Sequence, residues 1–425
     1  MKDITPTQTI LEASPRLMLF DLALGGHHGN YIQYLVDYAH TAEFSGVIDI
    51  VVLPQFLEIH KDTVAAIDNH ASSMVNWAPI SREESSALVS RDSGINRTLR
   101  NFQEWQVYCR YARVLKTTQA LIMYLDTCEL PLAVGKCSPC SFSGIYFRPT
   151  FHYPSFTNFS ASKKDQLQRW REKITLNRIL RSPQLKTIFC LDPYAVNALK
   201  SNRYSTKMVH LADPVSVFPD ESSSHTHMQL GIEKHRTVFL LFGALDGRKG
   251  IYQLLDAIQE LSSDLCQDFC LLLVGKASHA EQDQIHQRAA ALCQSRPIQL
   301  IECYDFVPDD DVPSYFHLAD VVLAPYQRHV GMSGILLLAA AAGKPVLSSD
   351  YGLMGEVVRQ YKLGLVLDSS LPTEIAQGIT RCLREPLERL CDRIQMKKFA
   401  EQNSVDCYTS TIFHNLYPDL SQTHL

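Results

Sequence analysis

Three glycine-bearing turns collect most of the residues whose types and spacing suit phosphate chemistry. One of them, Gly243-Ala244-Leu245-Asp246-Gly247-Arg248-Lys249-Gly250, directly follows the apolar run Thr237 to Phe242 and sets two adjacent cations ahead of a helical stretch. Another, His329-Val330-Gly331-Met332-Ser333-Gly334, joins small residues to a serine able to cap a helix starting near Ile335. Glycines let a backbone approach an anion closely, and a helix start aims free N–H groups at it. Arg248 and Lys249 therefore suit a diphosphate whose far side rests on the start of the Ile335 helix, an arrangement that needs no metal.

The earliest of the three turns is Gly25-Gly26-His27-His28-Gly29-Asn30, just after Leu17 to Leu22. A neutral imidazole of His27 or His28 can orient or deprotonate a hydroxyl there. Arg148 and His152 lie past another expected strand end in the same half. Glu356 is expected at a helix start after a glycine-containing turn, where a carboxylate can bind a ribose or favour the helix dipole, and Asp350 reads as a turn residue. Cys137-Ser138-Pro139-Cys140 has metal-ligand spacing, but no second CxxC or HxxxH completes a tetrahedral set, so no metal is expected.

The elements that must position these turns follow from periodicity. Leu17 to Leu22, the amphipathic stretch with Tyr31, Tyr34, Leu35 and Tyr38, and the β-branched run Val47 to Leu53 form a strand, helix, strand unit of a parallel sheet. Lys61 to Leu115 is polar and helical in tendency and reads as an elaboration on that sheet. Strands resume at Ala120 to Leu125 and Thr187 to Leu191, with a solvated helix over Phe159 to Leu180. Pro214 to Arg236, with Pro219, Ser222-Ser223-Ser224 and Gly231, reads as a linker. Strands and helices then alternate from Thr237 to Arg384, so two α/β domains are expected: 1–214, a linker 215–236, and 237–392, followed by a helical tail 393–425.

Composition narrows the partners. The chain has 425 residues, 46% of them apolar, enough to bury two or three cores. With 40 Lys+Arg against 45 Asp+Glu the net charge is −5 and no long basic run occurs, which argues against nucleic acid as a partner. No apolar stretch approaches the roughly 20 residues of a membrane span, which leaves room only for peripheral membrane contact. The N-terminal residues lack a signal-peptide layout, so a cytoplasmic location is expected, with the 12 cysteines as thiols in a reducing compartment.

From about Thr237 to Leu383 the chain resembles the donor-binding domain of the family 4 glycosyltransferases with the GT-B fold. The resemblance rests on Phe242-Gly243, Arg248-Lys249-Gly250, Leu272-Leu273-Val274-Gly275, Phe306-Val307-Pro308-Asp309 with Ala319-Asp320-Val321, Ala341-Ala342-Gly343-Lys344-Pro345-Val346, and Ser349-Asp350-Tyr351-Gly352 with Glu356, in that order. The first half is similar more loosely, through its glycine-rich turn and the segments Leu191 to Tyr194 and His210 to Pro214. The resemblance implies two Rossmann-like domains facing a cleft, with a C-terminal helix crossing back to the first. It also implies a metal-independent hexosyltransferase that moves a sugar from a nucleoside diphosphate sugar to an acceptor hydroxyl, on a saccharide, lipid or small molecule, with retention of configuration. On this reading Lys249 and Arg248 meet the diphosphate, with His27 and His28 beside the reaction. Gly25, Gly26, Gly243, Gly331, Met332, Ser333, Gly334 and Glu356 line the donor site, and no cofactor is needed.

Two departures stand out. The family arginine after the glycine matched by Gly243 is here Ala244, and the two family glutamates eight residues apart fall on Val330 and Leu338. Their loss motivates an alternative reading, a catalytically silent subunit that binds a nucleotide sugar or a partner chain. A nucleotide-sugar epimerase on the same architecture fits the order of the landmarks less well.

Overall fold

The computed structural model describes residues 14–25, 28–156, 163–200, 203–215 and 229–418. Gly26, His27, most of the expected linker (216–228) and residues 419–425 of the tail lie outside them.

The first half forms a sheet of β1 (Arg16–Asp21), β2 (Val47–Val52), β3 (Val75–Trp77), β4 (Gln119–Ile122), β5 (Ser141–Tyr146), β6 (Leu185–Cys190) and β7 (Met208–His210), ordered β3-β2-β1-β4-β5-β6-β7. The second forms a sheet of β8 (Thr237–Phe242), β9 (Phe269–Val274), β10 (Gln299–Cys303), β11 (Val321–Ala324), β12 (Val346–Ser349) and β13 (Gly364–Leu367), ordered β10-β9-β8-β11-β12-β13. The strands pair in parallel in both sheets. Continuous apolar runs such as Phe269–Val274, buried at every residue, are what a sheet covered by helices on both faces requires. Each sheet reverses strand order beside its first strand, between β1 and β4 and between β8 and β11. Crevices at such reversals are where parallel sheets bind ligands.

Two departures from the sequence reading are structural. Strand β3 falls inside the stretch read as helical. It lacks an apolar run because it is an edge strand, and it is pinned by Asn76 Nδ2, which donates to the buried carboxylate of Asp49 on β2 at 2.7 Å. Ala120 to Leu125, read as one strand, ends at Ile122 and passes into a 3₁₀ turn at Leu125–Thr127.

The tail divides. Helix Arg393–Gln402 stays with the second half, burying Met396, Phe399 and Ala400 in the core that holds β8 and β11. Only helix Val405–Leu416 crosses to the first half, where Tyr408, Ile412 and Phe413 join the core beneath helix His28–Thr41. Asn403 is the joint. Its side-chain oxygen accepts from Asp213 N at 3.1 Å and its carbonyl from Val215 N at 2.8 Å.

The halves meet across the cleft. Asn30 Nδ2 donates to Asp309 at 2.7 Å, and Tyr153 of the first half is buried among second-half residues, so close to Gly352 that a Cβ there would lie 2.6 Å from its ring. Among the described residues no helix is long and apolar enough to cross a membrane.

Candidate active site

Where β8 ends, the chain turns at Gly243 with φ +104°, and a side chain there would press to 3.0 Å from the Lys249 ammonium. The Asp246 carboxylate caps this turn by accepting from Lys249 N at 3.2 Å. Lys249 is only 5% exposed. Its Nζ donates to the Phe242 carbonyl at 2.8 Å and to the Tyr326 hydroxyl, and lies 4.4 Å from the Tyr326 ring centre. A buried ammonium held by a carbonyl and a phenol, with no carboxylate among these contacts, keeps its charge available to an anion. Arg248 is half exposed and 3.6 Å from Asp246. Gly250 (φ +76°) closes the turn so tightly that a Cβ would fall 2.0 Å from the Pro325 carbonyl, while Gln327 N donates to the Arg248 carbonyl at 2.9 Å. The turns after β8 and β11 are therefore locked together.

The β11 loop reaches the first half through Gly331. At φ +92° its N–H donates to the Tyr153 hydroxyl at 3.1 Å, and a Cβ would sit 2.9 Å from the Phe147 carbonyl and 3.7 Å from Arg148 Cγ. Met332 packs against the cores of both halves. His329, whose Nε2 is 3.3 Å from the Met332 carbonyl, reports the local field: burial first, then the charges of Arg248, Lys249 and Arg148, bring its pKa down to about 4. Cations from both halves converge here around a neutral imidazole. Val330 and Leu338, in the places of the family glutamates, pack against apolar core.

Ser333 occupies the position before helix Gly334–Ala341, but its hydroxyl makes no capping bond, contrary to the expectation. Glu356 is corrected too. The helix begins at Gly352, so Glu356 lies beyond its first turn, bound at 2.7 Å to Arg359, which also pairs with Asp350.

In the first half, Asp21 ends β1 and is buried; its Oδ2 lies 2.5 Å from His28 Nδ1. Burial opposes charge on this ring, but the hydrogen bond and the charge of Asp21 outweigh it, and the His28 pKa lies above its usual value. The ring stacks on Phe147 at 6.4 Å and meets Tyr124 edge-on at 6.0 Å. Gly25 is exposed, and a Cβ there would meet nothing within 4 Å among the described residues. Gly26 and His27 fall outside the described residues.

Arg148 is exposed, and its backbone N–H and that of Phe147 donate to Asp126 at 3.1 and 3.0 Å. Burial raises the Asp126 pKa to about 6. His152 does not reach the cleft. Its side chain is buried with Nε2 3.0 Å from Asp192 Oδ2, and it lines a cavity of about 140 Å³ with Leu176 and Leu199. Sequence reasoning missed Asp21, Tyr153 and Tyr326, and gave His329 no role. Of these, Asp21 had a signal, a carboxylate ending a strand ahead of a glycine turn.

The sequence profile of the family described as glycosyl transferases group 1 matches residues 223–402. Among curated relatives, a putative glycosyltransferase, YtcC, of Bacillus subtilis is 29% identical over 159 residues, covering 36% of this chain and 38% of the relative. A phosphatidyl-myo-inositol mannosyltransferase of Mycobacterium leprae is 26% identical over 242 residues, covering 56% and 58%. The chain thus spans between 38% and 58% of these relatives' lengths. Among solved structures, Anabaena Alr3699/HepE in complex with UDP superposes with a TM-score of 0.64 at 15% identity, covering 95% of this chain and 100% of that one. A glycosyltransferase from Rickettsia africae gives 0.63 at 12% identity, covering 96% and 99%. Those two likenesses speak for a GT-B fold, and the profile match makes residues 223–402, the half that carries Lys249 and the β11 loop, similar to the group 1, or family 4, glycosyl transferases.

Proposed function

We propose that the chain transfers a hexose from a nucleoside diphosphate sugar to an acceptor hydroxyl with retention of configuration. The supporting observation is the convergence of Lys249, Arg248 and Arg148 around His329 at the crevice between β8 and β11. A diphosphate linking nucleoside and sugar carries about two negative charges, so buried Lys249 and the two more exposed arginines can hold it and stabilise the charge that grows on the leaving phosphate, without a metal in the scheme. The backbone from Met332 to Gly334, where the chain enters a helix, supplies N–H groups to the same oxygens. On this reading Arg148 replaces, from the other half, the family arginine lost at Ala244. His28, oriented by Asp21, meets the acceptor side, and Gly25 leaves room for it. Retention needs the acceptor oxygen to arrive on the face the phosphate leaves, where a departing phosphate oxygen can take its proton.

The apolar packing of Val330 and Leu338 favours a second reading, a subunit that binds a sugar nucleotide without turnover. Release of nucleoside diphosphate from a panel of sugar nucleotides, UDP-sugars first, separates the two. An enzyme releases it slowly and loses the release in Lys249→Ala by about 100-fold or more, the scale for removing one fixed charge stabiliser. Tight binding with no release and no transfer would favour the silent subunit, and an inverted product would end the retaining claim.

A further inference from the structure

Helix Lys163–Leu180 carries an outer face that the reaction does not use. Trp170 is 61% exposed and Leu167 59% exposed, whereas Trp105 is buried and Trp77 only half exposed. At 3.6 residues per turn Leu167, Trp170 and the half-exposed Ile174 fall within about 60° of the helix circumference, a continuous apolar ridge. Cations flank it. Lys164, Arg171 and Arg178 follow on one side, Lys173 on the other, and Lys163 begins the ridge, all exposed. The helix's two carboxylates are engaged elsewhere: Asp165 pairs with Arg328 at 3.1 Å, and Glu172 accepts from Tyr146 at 2.9 Å and from Thr150. Val134, 54% exposed, ends the neighbouring helix, whose Ala133 carbonyl accepts from Arg178 at 3.5 Å. This basic face belongs to a chain of net charge −5, so its sign is local.

An apolar ridge edged by lysine and arginine is what a helix lying in the plane of a lipid interface presents, with tryptophan at headgroup depth and cations on anionic headgroups. The aliphatic neighbours of Trp170 favour acyl chains over stacked bases, since stacking needs flat partners. We infer that the outer face of helix Lys163–Leu180 docks the protein on anionic lipid bilayers. The docking is independent of the transfer reaction.

Co-sedimentation of the full chain with vesicles of phosphatidylcholine, with and without phosphatidylglycerol, tests this. The protein is expected to bind the anionic vesicles, to leave phosphatidylcholine alone, and to be released by high salt. Lys164→Glu with Arg171→Glu is expected to weaken binding by about 25-fold or more, from roughly fivefold per charge at the surface. Leu167→Ser with Trp170→Ser removes the ridge and is expected to weaken it comparably. All these positions are exposed, so thermal melting should match the parent and exclude misfolding as the cause. Tryptophan emission should shift to the blue on anionic vesicles, and Trp170→Phe should abolish the shift. No binding by the parent, parent-like binding by both variants, or stronger retention on a single-stranded oligonucleotide than on the vesicles would overturn the inference.

Discussion

The pairing of His28 with Asp21 makes the first turn sensitive to pH in a definite direction. Because the folded-state pKa of His28 is raised above 6.5, the pair adds stability that is fully present below that unfolded value. It is lost as the pH climbs through the raised folded value. Comparing thermal midpoints of His28→Gln and the parent between about pH 5 and about pH 8 should therefore show the variant most destabilised at the acid end, with the gap closing above pH 6.5. A gap that widens with rising pH would mean that the ring is held neutral. At this scale the sequence was legible where a residue sits beside its own strand. Lys249 could be singled out because its turn follows the β8 run. Arg148 could be named only as lying past a strand end, and His329 was given no role, because what brings them near each other is the approach of two halves at Gly331 and Phe147, and no local pattern encodes it.

The lock between the β8 turn and the β11 loop rests on Gly250, and a pair of substitutions separates its two demands. Gly343 also has a positive φ, +64°, yet a Cβ there would meet nothing within 4 Å. Gly343→Ala should cost only the left-handed backbone penalty, about 1–2 kcal/mol, and leave nucleoside diphosphate affinity alone. Gly250→Ala adds a clash at 2.0 Å with the Pro325 carbonyl and must push the loop carrying Tyr326 and His329 away from Lys249. Its cost should reach roughly 3 kcal/mol, with affinity lowered at least tenfold by calorimetric titration. Equal behaviour of the two variants would dissolve the lock. Elements were readable in proportion to their burial. The apolar runs β8, β9 and β11 stood out, whereas β3, with the exposure of an edge and held by Asn76, resembled its helical surroundings. Glu356 was misplaced for a related reason: Gly352 looked like turn and is the first residue of the helix.

At the scale of the molecule, the tail ties one half to the other, and the crossing point at Asn403 carries no proline or glycine that would have marked it in the sequence. Beyond it Tyr408, Ile412 and Phe413 are wholly buried against the first half, with Tyr408 5.3 Å from Tyr31 and Phe413 5.1 Å from Tyr38. Burying three such side chains stabilises by roughly 5–9 kcal/mol as an upper bound, the order of a domain's entire stability. A chain ending at Ser404 retains Met396 and Phe399 in the second core, so the loss should fall on the first half alone. Scanning calorimetry should then resolve two transitions, the first half melting earlier and the second still raised by added nucleoside diphosphate. Because Arg148 would no longer be presented firmly across the cleft, that ligand-induced rise should be smaller than in the full chain. One transition at the parent temperature would show that the crossing helix adds no stability to the first half.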